Sequence, residues 1–136
     1  MKTSIVMTAL NKNNLQTNIT SAAIGNISKY TDREDYELIL IDQRTPDMNK
    51  IPDLNCRHNA IVLDKHIKID HIGMSAAMNK GFKESNPDYP YICFIHNDVF
   101  VWEGWLKTMR EMIEKDSTAI IMPTQGPYKR KDNRSL

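Results

Sequence analysis

The sequence predicts an α/β fold, an open and mostly parallel sheet with helices on both faces. Three observations support this: short β-rich apolar runs, amphipathic helical stripes between them, and proline or polar breaks where one gives way to the other. The apolar runs at 4–7, 37–41, 60–63 and 91–95 are too short for helices and read as buried strands, and 119–122 repeats the pattern. Between them, Leu15, Ile19, Ala22, Ala23 and Ile27 recur at helical spacing. So do Met74, Ala77, Met78, Gly81 and Phe82, and then Trp105, Leu106, Met109, Met112 and Ile113. Asn86-Pro87 stops the second helix, while Pro46 and Pro52 punctuate the long connection before the third strand.

The chain has 136 residues, 40% of them hydrophobic, which suits one compact domain over 1–127 followed by a polar, basic tail at 128–136. Lys plus Arg (18) nearly balances Asp plus Glu (17), so no broad field draws in nucleic acid or an anionic membrane. A phosphate ligand must then be held by local contacts. Cys56 and Cys93 form no CxxC pair and no disulfide framework, which points to a reducing, cytoplasmic setting. No run approaches the roughly 20 apolar residues of a membrane span.

Parallel α/β sheets bind ligands beyond the carboxyl ends of their strands. On the predicted strands those positions are Ala9-Leu10-Asn11, Asp42-Gln43-Arg44, Asp64-Lys65-His66 and His96-Asn97-Asp98. The last is the strongest local signal. A hard cation such as Mg²⁺ or Mn²⁺ takes one or two protein carboxylates and fills its shell from phosphate and water, so Asp98 can serve as that carboxylate. Asp98 or Asn97 can equally bond its own backbone in a turn. Asp42, at the end of an apolar strand, can accept from a ribose hydroxyl or a base N–H, or cap a turn. The segment from His71 to Gly81 opens a helix with small residues. Gly73 permits close backbone approach to an anion at the helix start, and small residues also allow tight helix-to-sheet packing. Trp105 fits its helix stripe and reads as core, Trp102 is the better ligand candidate, and His58, His66 and His71 read as loop or surface residues.

Taken in order, these pieces resemble the family 2 glycosyltransferases. The chain offers Ser4-Ile5-Val6-Met7-Thr8-Ala9-Leu10-Asn11, then Ile41-Asp42-Gln43-Arg44, then Gly73-Met74-Ser75-Ala76-Ala77-Met78-Asn79-Lys80-Gly81, and finally His96-Asn97-Asp98. The resemblance implies the A-type glycosyltransferase fold and a hexosyl- or deoxyhexosyltransferase-like enzyme, probing a nucleotide diphosphate sugar as donor and a saccharide or glycan carrier as acceptor, with inversion and Mg²⁺ or Mn²⁺ as cofactor. It places Ala9 and Asn11 beside the base, Asp42 on the nucleoside, and Gly73 and Asn79 near the nucleotide and diphosphate. Asn97 and Asp98 fall at the metal-binding strand end, with Asp98 and His96 as metal ligands.

The chain departs from the family pattern at several points. Gln43 replaces the second acid of Asp-Asp, Met78 stands where an arginine is often found, and His96 replaces the first acid of Asp-x-Asp. Losing a carboxylate to imidazole lowers the site's charge and makes metal binding depend more on the sugar diphosphate. Strand ends reading Asn-Asp-Val resemble rhamnosyltransferase-like members. The family's downstream acidic base has no counterpart after 127, so the sequence reads as an incomplete catalytic domain with its catalytic base unassigned. The rival reading is a degenerate nucleotide-sugar-binding or partner-binding module. A nucleotidyltransferase ranks lower, because no glycine-rich loop follows the first strand.

Overall fold

The computed structural model describes residues 2–44, 63–116 and 120–121. The elements run β1 (Thr3–Leu10), α1 (Asn14–Tyr30), a 3₁₀ turn (Arg33–Asp35), β2 (Tyr36–Arg44), β3 (Lys65–Asp70), α2 (Met74–Glu84), β4 (Tyr91–His96) and α3 (Trp105–Asp116). Residues 1–105 form one compact unit and 106–136 a second. Within the second, α3 carries an exposed Lys107–Glu111 pair at 3.8 Å. The described residues include no helix long and apolar enough to cross a membrane.

The strands pair in the order β3-β2-β1-β4, every pair parallel. The chain therefore adds strands to one side of β1, then crosses back to place β4 on the other. This reversal makes a crevice at the carboxyl ends of β1 and β4, the switch point where open α/β sheets take their ligands.

β1 and β2 are buried along almost their whole length, which is why both read as continuous apolar runs. On one face Val6, Ile39, Ile41 and Ala77 are fully buried, with Ile67, Ile69 and Ile92 packed around them. α2 lies against this face at very close range. A Cβ built on Gly81 would stand 2.2 Å from Val6 Cγ1 and 3.3 Å from Ile41 Cγ1, so the helix can sit this low only because residue 81 has no side chain. The helix thus buries a narrow Ala77–Gly81 strip, while Met74 and Phe82 of the predicted stripe stay half or more exposed.

α1 begins with a working cap. The Asn13 side chain accepts from Gln16 N at 3.0 Å, and Gln16 Oε1 accepts from Lys12 N at 2.7 Å, one residue earlier than in a capping box. Its inward face is turned from the predicted stripe. Thr17, Thr20, Ala23, Ile24 and Ile27 are buried, and Leu15 is exposed. Hydrophobic periodicity found the helix but misplaced its N-terminal half, because that half faces polar partners rather than the core.

The third strand needs a correction. Among the described residues it is Lys65–Asp70; of the predicted run 60–63, residues 60–62 lie outside the described residues and Leu63 is not in a strand. Asp64 therefore precedes β3 instead of following a strand. It braces the strand's start: its backbone N–H donates to Leu38 O (2.9 Å), its Oδ2 accepts from Leu38 N (2.7 Å), and its Oδ1 pairs with Arg33. Of the fifth predicted strand, only Ile120 and Ile121 are described, and neither is in a strand. The boundary at 127 and the basic tail lie outside the described residues.

Candidate functional site

The site is built outward from Asp42. Parallel pairing sets Asp42 level with Ala9 of β1 and Lys68 of β3, near the carboxyl end of β2. Its side chain is completely buried, so its charge must be met by protein groups. Oδ2 accepts from Arg44 Nε (3.1 Å), Arg44 Nη2 (2.9 Å) and His66 Nε2 (3.0 Å), while Oδ1 accepts from Asn11 Nδ2 (3.2 Å). Burial alone would raise the carboxyl's pKa. The hydrogen bonds from His66 and Arg44, with their charges, outweigh burial and hold it below its ordinary value.

This arrangement revises the role of His66. It is exposed, as a surface reading expects, but it lies on strand β3 instead of in a loop, and its Nε2 reaches Asp42 Oδ2. Arg44 does the same from β2, two residues on and so on the same face of the strand. No sequence signal points to the His66 contact, because it depends on the register of β3 against β2. In the sequence Arg44 is a strand-end residue to which no role attaches.

Asn11 continues the site toward β4. It is buried at 2% exposure just past β1, and its Oδ1 accepts from Thr20 Oγ1 at 2.7 Å. The same Thr20 oxygen accepts from Asn97 Nδ2 at 2.8 Å. Asn97 is half-buried in the turn after β4, closed by Val99 N donating to His96 O at 3.3 Å. His96 and Asp98, on either side of Asn97, are exposed at the switch-point crevice. Ala9 is buried in β1 beside Asp42 and presents no exposed group.

A second set of contacts ties the start of α2 to the same edge. Gln43, buried at 4% exposure, accepts from Ile72 N through Oε1 (3.2 Å), and His71 N donates to Arg44 O (3.1 Å). The amide that replaces the family's second acid thus holds the segment leading into α2. Gly73 takes φ 86° and ψ 161°, a conformation open to glycine alone, and no side chain caps the helix it opens. The first-turn amides of α2 are therefore uncapped by side chains near the strand ends. Asn79 is exposed about five residues, or roughly 7 Å, along α2 from that start.

Asp98 and His96 offer at most two metal ligands. No group of three or more His, Cys, Asp or Glu among the described residues is placed to hold an ion. The donor set suits a cation that draws most of its oxygens from phosphate and water, not a cage made by protein alone. Trp105 is buried, its Nε1 donating to Thr31 Oγ1 at 2.8 Å, whereas Trp102 is 64% exposed. Burial pushes the half-buried Cys93 thiol up to about 11, which leaves it protonated and unreactive at neutral pH. A cleft of about 490 Å³, lined by Phe82, Asn86, Tyr89 and Tyr91 among others, opens at the opposite, amino-terminal edge of the strands. The polar side chains gathered by the fold lie at the carboxyl edge, which is the edge that parallel sheets use.

An open parallel sheet with polar groups gathered at its switch point belongs to the class of α/β domains that take ligands at their strand ends, and the comparisons give the family. Residues 4–135 match glycosyl transferase family 2, and the chain belongs to that family. Its fold is that of S. aureus TarS. A crystal structure of TarS 1-349 in complex with UDP-GlcNAc aligns with a TM-score of 0.61 at 14% identity, covering 96% of this chain and 39% of that one. TarS 1-349 without a named ligand gives 0.63 at 14% identity over 96% and 40%, and its complex with UDP gives 0.58 at 14% over the same shares. The chain thus spans about two fifths of the length of those structures. No curated protein matches it in sequence.

Proposed function

We propose that this chain is the donor-binding part of a glycosyltransferase that moves a sugar from a nucleotide diphosphate sugar to a hydroxyl of a saccharide or glycan carrier, with inversion. The observation that carries the reading is the switch-point crevice, where Asp42, Asn11, Thr20 and Asn97 are joined beside the exposed Asp98 and His96. The family membership and the UDP-GlcNAc and UDP complexes of TarS support a nucleotide sugar as donor. The near-balance of charge argues against nucleic acid as a partner.

In this reading Arg44 and His66 are the first groups a nucleoside meets on the β2 side. Asp42 is fully buried and its Oδ2 is taken, so it reaches the ligand directly only if one of the two swings away. Asn11 borders the base, and Gly73 brings the uncapped amides of α2 toward the diphosphate. Asp98, with His96 beside it, would hold Mg²⁺ or Mn²⁺, which would supply charge neutralisation for the leaving diphosphate.

A binding module without transfer is the second reading, favoured by the thin set of metal ligands. Turnover by the full-length protein separates the two. The donor reading is tested by calorimetry with UDP, GDP and dTDP, each with and without Mn²⁺, on the native chain and on Asp98→Ala. The expected result is binding of at least one nucleotide that Mn²⁺ strengthens, with that strengthening lost in the variant. No binding to any of the three, or an unchanged Mn²⁺ effect in Asp98→Ala, overturns it.

A further inference from the structure

Thr20 sits on α1 and carries no charge, yet its hydroxyl is the central link between Asp42 and Asn97, the residue before Asp98. Three hydrogen bonds run in series: Asn11 Nδ2 to Asp42 Oδ1, Thr20 Oγ1 to Asn11 Oδ1, and Asn97 Nδ2 to Thr20 Oγ1, at 3.2, 2.7 and 2.8 Å. They bridge β2 to the turn after β4 across β1, about 10 Å of sheet at two strand spacings.

The direction of the series is fixed from one end. An ionised carboxylate only accepts, so Asn11 must turn its NH₂ to Asp42 and its carbonyl oxygen to Thr20. That oxygen needs a donor, so Thr20 gives it its single proton, although Gln16 O also lies within reach at 3.0 Å. The Thr20 oxygen then has only lone pairs left, and Asn97 must present its NH₂. Each group has one orientation that satisfies its neighbours, and Asp42's charge selects it. Asn11 and Thr20 are buried, so water cannot replace a lost partner cheaply.

We infer that Thr20 is a positioning residue: through Asn97 it fixes the turn that aims Asp98, and through Asn11 it couples that turn to Asp42. This inference rests on the donor-binding reading for its effect on ligand, but the coupling itself is a property of the unliganded chain. It explains why a threonine, a poor choice for a helix face against a sheet, is fully buried at position 20.

The test uses Thr20→Val, which keeps the branched shape and removes the hydroxyl, Thr20→Ser, which restores it, and Asn97→Ala, which cuts only the outer bond. In ¹⁵N NMR, Thr20→Val should shift the Asn11 and Asn97 side-chain amide signals and speed hydrogen exchange at Asp98 and Val99, and Thr20→Ser should reverse both. Calorimetry should show UDP binding with Mn²⁺ weakened roughly threefold to thirtyfold in Thr20→Val. UDP binding without Mn²⁺ should change much less, a split that a general loss of packing would not produce. If Thr20→Val does not fold, Asn97→Ala must show the same exchange and the same split. Unchanged exchange at Asp98 and Val99 overturns the coupling. Faster exchange with unaltered Mn²⁺-dependent UDP affinity overturns the positioning role. If the native chain binds no nucleotide, the donor reading fails and the exchange measurement still decides the coupling.

Discussion

Replacing Asp42 by asparagine changes one oxygen to an amide while keeping the side chain's shape, so its cost measures charge and hydrogen-bond polarity with little cavity formation. Asp42 now accepts from Arg44 twice, from His66 and from Asn11. An asparagine NH₂ in either orientation points at one of these donors, and no water reaches the site to take up the conflict. Removing one member of a buried ion pair costs about 3–5 kcal/mol. Arg44, whose side chain is 12% exposed, can relax toward solvent, so the lower end applies, about 3 kcal/mol. For a chain of this length, that lowers Tm by roughly 10 °C. Urea unfolding followed by circular dichroism at pH 7 gives the difference directly.

The pH dependence supplies a second check. Asp42's folded pKa lies below its ordinary 3.8, so its stabilisation is fully present above that value and fades as pH falls through the lower, folded value. The gap between native chain and variant should therefore close below about pH 4. A gap under about 0.5 kcal/mol at pH 7, the scatter of ordinary surface changes, would refute the reasoning. So would one that does not narrow below about pH 4.

Other outcomes follow from packing and backbone geometry. Gly81→Ala places a methyl into the fully buried, β-branched Val6, and overpacking of about 1–3 kcal/mol should exceed the roughly 1 kcal/mol gained in helix propensity. Adding Val6→Ala should recover part of the loss, and thermal unfolding of the single and double variants checks this. Gly73→Ala forces a side chain into φ 86° and should cost about 1–3 kcal/mol by urea titration, although nothing crowds its Cβ.

How far the sequence could be read depended on whether a signal was local. β1 and β2 show as apolar runs because parallel strands inside a sheet are covered on both faces, and that coverage writes a continuous pattern; β4, at one edge of the described sheet, is apolar in sequence but only partly buried. β3 is an edge strand. Lys65, His66, Lys68 and Asp70 are exposed while Ile67 and Ile69 pack on the core, so it reads as a weak alternation beside the more apolar 60–63.

The same limit applies to the site. Asp42 and Asn11 stood out because they end apolar strands. Thr20 did not, because a threonine in a helix carries no mark of what it meets, and its partner Asn97 is 77 residues away. His66 was hidden for the same reason, since its contact depends on the register of β3 against β2. The departures from the family pattern at Gln43 and His96 were visible, but not that Gln43 would be buried and used to hold Ile72.

The central claim is that a nucleoside diphosphate and its cation sit at the carboxyl edge of β1 and β4. Paramagnetic Mn²⁺ broadens NMR signals near it, so ¹⁵N spectra of the chain recorded with trace Mn²⁺, before and after adding UDP, locate the ion directly. The account predicts broadening centred on His96, Asn97 and Asp98 and reaching Asn11 and Gly73, and only when UDP is present. Broadening centred on the cleft at Phe82, Asn86 and Tyr89, or none at His96 to Asp98 with UDP bound, would contradict it.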